Sequence, residues 1–296
     1  MTRKLNFLEV VLMAVLIVMV ACTSVPSKDA QSITNLDAAI TDAIMQANAN
    51  QYPESDFATE AHVTLKTVQS GSTTTVYAMA LYLEFVYADG EFFESGGSHM
   101  PVAITFEKNL QGEYDLTEYC MPRDGTYYAS SIEEKFPADI VEDALDTQKY
   151  ILAEMQACYA KAVAYGEIDT DAVLEKLLET ISASPAEASN LGAYIDEHAY
   201  KFRELLYYGD STLRYAYARF LAGGQTDLQG QILLSAMREL LGDEDLGLPG
   251  TGMAQEWFDE WKSQAVSLRN AHSMKFMQEN YPRTAIMLQM MDEKNS

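Results

Sequence analysis

Zinc chemistry needs several His, Cys or carboxylate ligands converging on one point. The four histidines, His62, His99, His198 and His272, are scattered along the chain with no ligand spacing among them. There is no His-Glu-x-x-His pair, no Gly-x-Ser-x-Gly elbow, no Gly-x-x-x-x-Gly-Lys-Ser/Thr loop and no Ser-x-x-Lys pair. The letters therefore offer no ready metalloprotease, serine hydrolase, nucleotide-binding or penicillin-acylating centre, and no cofactor is expected. Paired carboxylates could still do acid–base work, but 44 acidic residues make any chosen pair arbitrary. Asp243-Glu244-Asp245 ahead of Gly247 offers hard oxygen ligands, as calcium prefers. It lacks the alternating ligands and distal glutamate of an EF-hand, so solvation of an acidic loop is the favoured reading.

Two groups of residues are better suited to binding. Arg203, Tyr207, Tyr208, Arg214, Tyr215, Tyr217, Arg219 and Phe220 fall within eighteen residues. Tyrosine rings and arginine forks can stack on and hydrogen-bond to sugars, peptides or a protein partner. At helical spacing the same rings fill an interhelix core while the arginines pair with surrounding acid, which is the simpler reading. Trp257 and Trp261, four apart beside Phe258, carry the same two readings. Arg123 lies in Pro122-Arg123-Asp124-Gly125, a turn-forming stretch. It reads as a hinge whose arginine reaches a carboxylate, or as a loop that faces a ligand.

Cysteine adds a different chemistry. Arg3 and Lys4 precede an apolar run, Val10 to Ala21, that stops at Cys22 and is too short to cross a bilayer comfortably. Met19-Val20-Ala21-Cys22 resembles a lipobox, so residues 1–21 read as a lipoprotein signal peptide and Cys22 as the lipidated residue, carrying diacylglycerol and an N-terminal acyl group such as palmitate. Cys120 and Cys158 would then remain, with one possible disulfide between them. The expected location is the extracytoplasmic face of the cell membrane. Removing residues 1–21 takes away Arg3, Lys4 and Glu9 and moves the formal charge from −24 to −25, a field that repels nucleic acid.

The elements that must position these residues follow from periodicity. Residues 22–33 are polar and read as a tether. Thr34 and Asp37 form a capping box, and Leu36, Ile40, Ile44 and Ala47 mark one helical face. Val63 and Leu65, the alternation from Tyr77 to Tyr87, Val102 to Phe106, and Tyr114 to Tyr119 mark about four strands, with Asp89-Gly90 as a tight turn. From Pro137 helices fit 138–165, 170–183, 190–208, 211–222, 227–241, 252–270 and 272–292, with Thr226 and Gln229 as a second capping box and Pro282 breaking the last segment. The expected fold is α+β: an N-terminal helix packed on an antiparallel sheet over 34–130, then an all-α helical bundle or stack over 131–296.

Glu118 through Tyr128, Phe136-Pro137-Ala138-Asp139-Ile140, Leu206-Tyr207-Tyr208-Gly209-Asp210, Leu213-Arg214-Tyr215 and Gly223-Gly224-Gln225-Thr226 resemble the extracellular C-terminal region of antirepressor-type, beta-lactam-sensor-like membrane metallopeptidases. The resemblance covers roughly residues 100 to 292 and implies a sensor or interaction module lying outside the membrane. The peptidase motif of that family is missing, so no catalytic residue carries over. The expectation is a non-catalytic, membrane-anchored lipoprotein binding an extracellular protein, peptide or cell-wall ligand, with Arg123, Tyr207, Tyr208, Arg214 and Tyr215 as candidate binding residues. The alternative is a cell-envelope hydrolase using acidic residues at the domain junction.

Overall fold

The computed structural model describes residues 22–23, 35–49, 51, 55–185, 190–246, 248 and 252–294. The signal segment and nearly all of the tether lie outside them. The first described helix, α1 (Leu36–Asn48), is capped by Asn35, whose side chain accepts from the Asp37 amide. Asn competes well at this position because its short side chain turns back onto the first turn. The expected capping box rested on Thr34, which lies outside the described residues.

Four long antiparallel strands follow: β2 (Phe57–Ser70), β3 (Thr73–Ala88), β4 (Glu91–Lys108) and β5 (Tyr114–Cys120). A two-residue strand, β1 (Cys22–Thr23), adds to β5, giving the order β1-β5-β4-β3-β2. Antiparallel register sets Cys22 against Cys120, and Cys120 against Ala103 on the other side. A bulge interrupts the β4–β5 ladder at Thr105/Phe106.

Beyond the sheet come α2 (Tyr128–Lys135), α3 (Val141–Leu145), α4 (Gln148–Gly166), α5 (Thr170–Ala183), α6 (Leu191–Glu197), α7 (Ala199–Tyr207), α8 (Asp210–Ala222), α9 (Leu228–Leu241), α10 (Ala254–Ala271), α11 (Met274–Asn280) and α12 (Pro282–Lys294). The α+β class is as the periodicity predicts. The boundaries differ where local chemistry competes. Helix begins at Tyr128, ahead of the expected 138, and the 190–208 segment breaks at His198. Asp227, rather than Thr226, caps α9 through the Gly230 amide. Pro282 does divide the last segment, standing first in α12 where its missing N–H costs nothing.

The chain forms two compact units that do not follow a boundary at residue 130. Of the described residues, the first gathers those before residue 54, Glu60–Tyr82 and Gly97–Ile151. In it Ile132, Phe136, Ile140 and Ala144 bury themselves with Ala103 and Cys120, joined by Leu65 and Tyr77. That apolar stripe explains why α2 and α3 belong with the sheet. α1 bonds Thr41 to Glu60 of β2. Glu60 and Leu65 are an odd number of residues apart, so α1 and α2–α3 cover opposite faces.

The second unit gathers Glu54–Thr59, Leu83–Gly96 and Leu152–Ser296. Its strand segment supplies Phe85 and Phe92, whose rings meet Tyr159 of α4 edge-on at 5.8 and 5.1 Å. Its helical core is dense in large side chains: Tyr217, Phe220, Trp257, Phe258 and Trp261 are all essentially inaccessible. Among the described residues no helix is long and apolar enough to cross a membrane.

Candidate functional site

In the first unit a cavity of about 70 Å³ lies where β5 runs into α2, lined by Cys120, Met121, Pro122, Arg123, Ser131, Glu134, Lys135 and Phe136. Two segments position it. Pro122 ends the strand, and Gly125 turns the chain with φ +67, a conformation that other residues adopt only at a cost. On α2, Ser131, Glu134 and Lys135 stand at i, i+3 and i+4 and so share one face.

Ser131 fastens the two segments together. Its Oγ accepts from the Arg123 amide at 2.9 Å and donates to the Tyr128 carbonyl at 2.8 Å. The Arg123 guanidinium donates from Nη2 to Glu134 Oε2 at 2.8 Å and lies over the Tyr127 ring at 5.4 Å. Its Nε is buried and makes no hydrogen bond. An unmet buried donor costs about 1–3 kcal/mol. Lys135 pairs with Glu118 of β5 at 2.8 Å. The cavity therefore brings the apolar Met121, Pro122 and Phe136, with Cys120, together with one guanidinium and one ammonium, each held by a single carboxylate. Glu134 is largely exposed, so its pair with Arg123 is screened and contributes little to stability. Such a site can hold an apolar group while a charged head meets the arginine fork.

The other candidates are placed differently. Tyr208 and Tyr215 are buried, Tyr207 is half-buried and Arg214 is exposed. Tyr208 meets Tyr159 at 5.3 Å and Phe92 at 5.8 Å. Burial pushes the Tyr208 and Tyr207 hydroxyls above their ordinary range. Tyr208 also lines a second cavity of about 250 Å³ between α4 and the start of α8, with Gln156, Tyr159, Gly209 and Ser211. Two polar groups of its wall are engaged: Gln156 bonds the Leu206 carbonyl and the Arg283 guanidinium, and Tyr159 donates to Glu94 at 2.6 Å. Tyr215 donates to Glu175, which Arg219 also binds at 2.8 Å; burial and that hydrogen bond hold the Tyr215 hydroxyl up at about 12. Trp257 and Trp261 stack inside the helical core at 6.3 Å.

Cys120 is disulfide-bonded, and Cys158 keeps its thiol, buried in the middle of α4. The possible Cys120–Cys158 bridge is therefore not formed. Cys158 is a packing residue of the helical core, whereas the backbone opposite Cys120 in the ladder is that of Cys22. The Cys22 side chain lies outside the described residues.

The acidic turn 243–245 serves the fold. Glu244 accepts from the Arg283 and Thr284 amides at the start of α12, and Asp245 pairs with Arg238. Among the described residues no three His, Cys, Asp or Glu side chains are placed to hold a metal ion. His62 bonds Glu60 and Asp37, His198 meets Ser184 at 2.8 Å, and His272 stacks on Phe276. Of the candidate binding residues, Arg123 alone reaches the cavity beside α2. The sequence reading missed its companions Ser131, Glu134 and Lys135, whose shared helical face was the available signal. No family model, no curated protein and no solved structure matches this chain.

Proposed function

We propose that the mature protein is a non-catalytic lipoprotein, held on the extracytoplasmic face of a membrane through lipid on Cys22, that binds a small ligand or an exposed group of a partner at the Arg123 cavity. The observation that carries the binding half is the cavity itself, lined by apolar side chains and by an arginine whose Nε has no partner. The anchoring half rests on the charged start, the apolar run and Met19-Val20-Ala21-Cys22. An acyl chain favours the bilayer by about 0.8 kcal/mol per buried methylene, so two or more chains hold firmly.

Growth with a labelled fatty acid followed by membrane fractionation tests the anchor. The wild-type chain should carry label and sediment with membranes, and Cys22→Ser should lose both. Label-free wild-type protein in the soluble fraction would sink the reading. Turnover of a cell-wall or peptide substrate, abolished by one point mutation, would overturn the non-catalytic part.

A further inference from the structure

We propose that the Arg123 cavity recognises a small aliphatic carboxylate, either a free short-chain acid or the C-terminal residue of a peptide; this rests on the reading of the cavity as the ligand site. Three observations converge on that chemistry.

Size comes first. A dry cavity of roughly 150 Å³ holds benzene, so the 70 Å³ here admits an aliphatic group of a few carbons. Met121, Pro122 and Phe136 give that group an apolar surface, with the Cys120 sulphur beside them.

Charge comes second. A guanidinium presents Nε–H and one Nη–H along a single edge, a geometry that matches the two oxygens of a carboxylate. In this structure the edge is half used: Glu134 takes Nη2 through one oxygen, and Nε is left without an acceptor. A ligand carboxylate meeting both hydrogens satisfies the arginine better than Glu134 does.

Replaceability comes third. Glu134 sits on the last turn of α2 with most of its side chain in water, so giving up Arg123 returns it to solvent at small cost. Glu134 is thus a displaceable occupant, covering the fork until a better-fitting carboxylate arrives. Lys135, tied to Glu118, keeps a second positive charge in the lining. Neutral ligands of the same shape gain none of this.

The test uses the purified full chain with its methionine methyl groups carbon-13 labelled, at constant pH, with the Met121 methyl assigned by Met121→Leu. Four probes are titrated: butyrate, butyramide, N-acetylalanine and its amide. Both acids should move the Met121 methyl in a saturable way, and the amides should bind at least about tenfold more weakly. Binding tighter for N-acetylalanine identifies a peptide terminus, and binding tighter for butyrate identifies a free acid. Glu134→Gln, an exposed change with no burden on folding, should strengthen acid binding severalfold. Arg123→Lys, which keeps the charge but loses the fork, should weaken it about tenfold. Amides that bind as well as acids, or a Glu134→Gln chain that binds acids more weakly, overturn the carboxylate assignment while leaving the cavity as a binding site. No movement of Met121 with any probe overturns the cavity as the site of this ligand, and leaves the lipid anchor to its own labelling test.

Discussion

His62 shows how a buried side chain can report on pH. It is almost enclosed between Glu60, itself buried, and Asp37 at the start of α1, with Tyr119 beside Glu60. Burial alone would lower its pKa, but hydrogen bonds and charge from Glu60 and Asp37 outweigh burial, and the folded value lies above 6.5. A raised folded pKa means that folding takes up a proton. The stabilisation is therefore complete below pH 6.5 and is lost as pH rises through the folded value. Melting curves across that window should show the melting temperature falling with pH, and His62→Gln should flatten the slope; equal slopes in the two chains would reject the assignment. None of this was legible from the letters, where His62 stood without visible partners. Its partners lie two and twenty-five residues away, and strand alternation together with the docking of α1 unites them. Arg123 was legible because Pro122 and Gly125 flank it with turn chemistry. Its environment was not, because Glu118 reaches Lys135 across a strand–helix junction that no local spacing announces.

Helix and strand content was readable because hydrophobic period is local: two for β3 and β4, near four for α5 and α9. Ends were less readable, since several polar residues compete to cap one helix and tertiary contacts choose among them. Asp227 prevailed over Thr226, and Tyr128 opened a helix ten residues early because Ile132 and Phe136 had a sheet to bury against. Close contacts between elements are also settled by tertiary structure. Gly166 closes α4 beneath Tyr87, whose hydroxyl donates to the Ala162 carbonyl at 2.7 Å. A methyl at Gly166 would overlap the Tyr87 ring. Gly166→Ala should therefore destabilise by about 1–3 kcal/mol in urea unfolding, as overpacking does. Gly224→Ala offers the contrast, strained by its positive φ but with nothing near its added methyl. If Tyr87→Ala removes the Gly166→Ala penalty, the clash is its cause.

At the scale of the whole molecule, the two cysteine chemistries can be told apart by counting thiols. Lipid on Cys22 would consume its sulphur as a thioether, leaving Cys120 and Cys158 as the cysteines of the anchored form. That form should titrate two thiols when unfolded without reductant, whereas the unprocessed chain, with Cys120 in a disulfide, should titrate one. One thiol in membrane-bound material would contradict anchoring through Cys22.

The strand segment Leu83–Gly96 bears on heredity and on the bench alike. Genes are recombined at single points, and a point after residue 130 would look like a seam between sheet and helices. A product running from 131 to 296 would inherit Tyr159 and Tyr208 but not Phe85 and Phe92, the rings that shelter them. Such a fragment should bind a hydrophobic dye strongly and show weak near-ultraviolet circular dichroism, and a tightly folded one would refute this. The helical half cannot be lent to another protein as a cassette, because part of its core, Phe85 and Phe92, is written upstream of residue 131, at the tip of a β-hairpin.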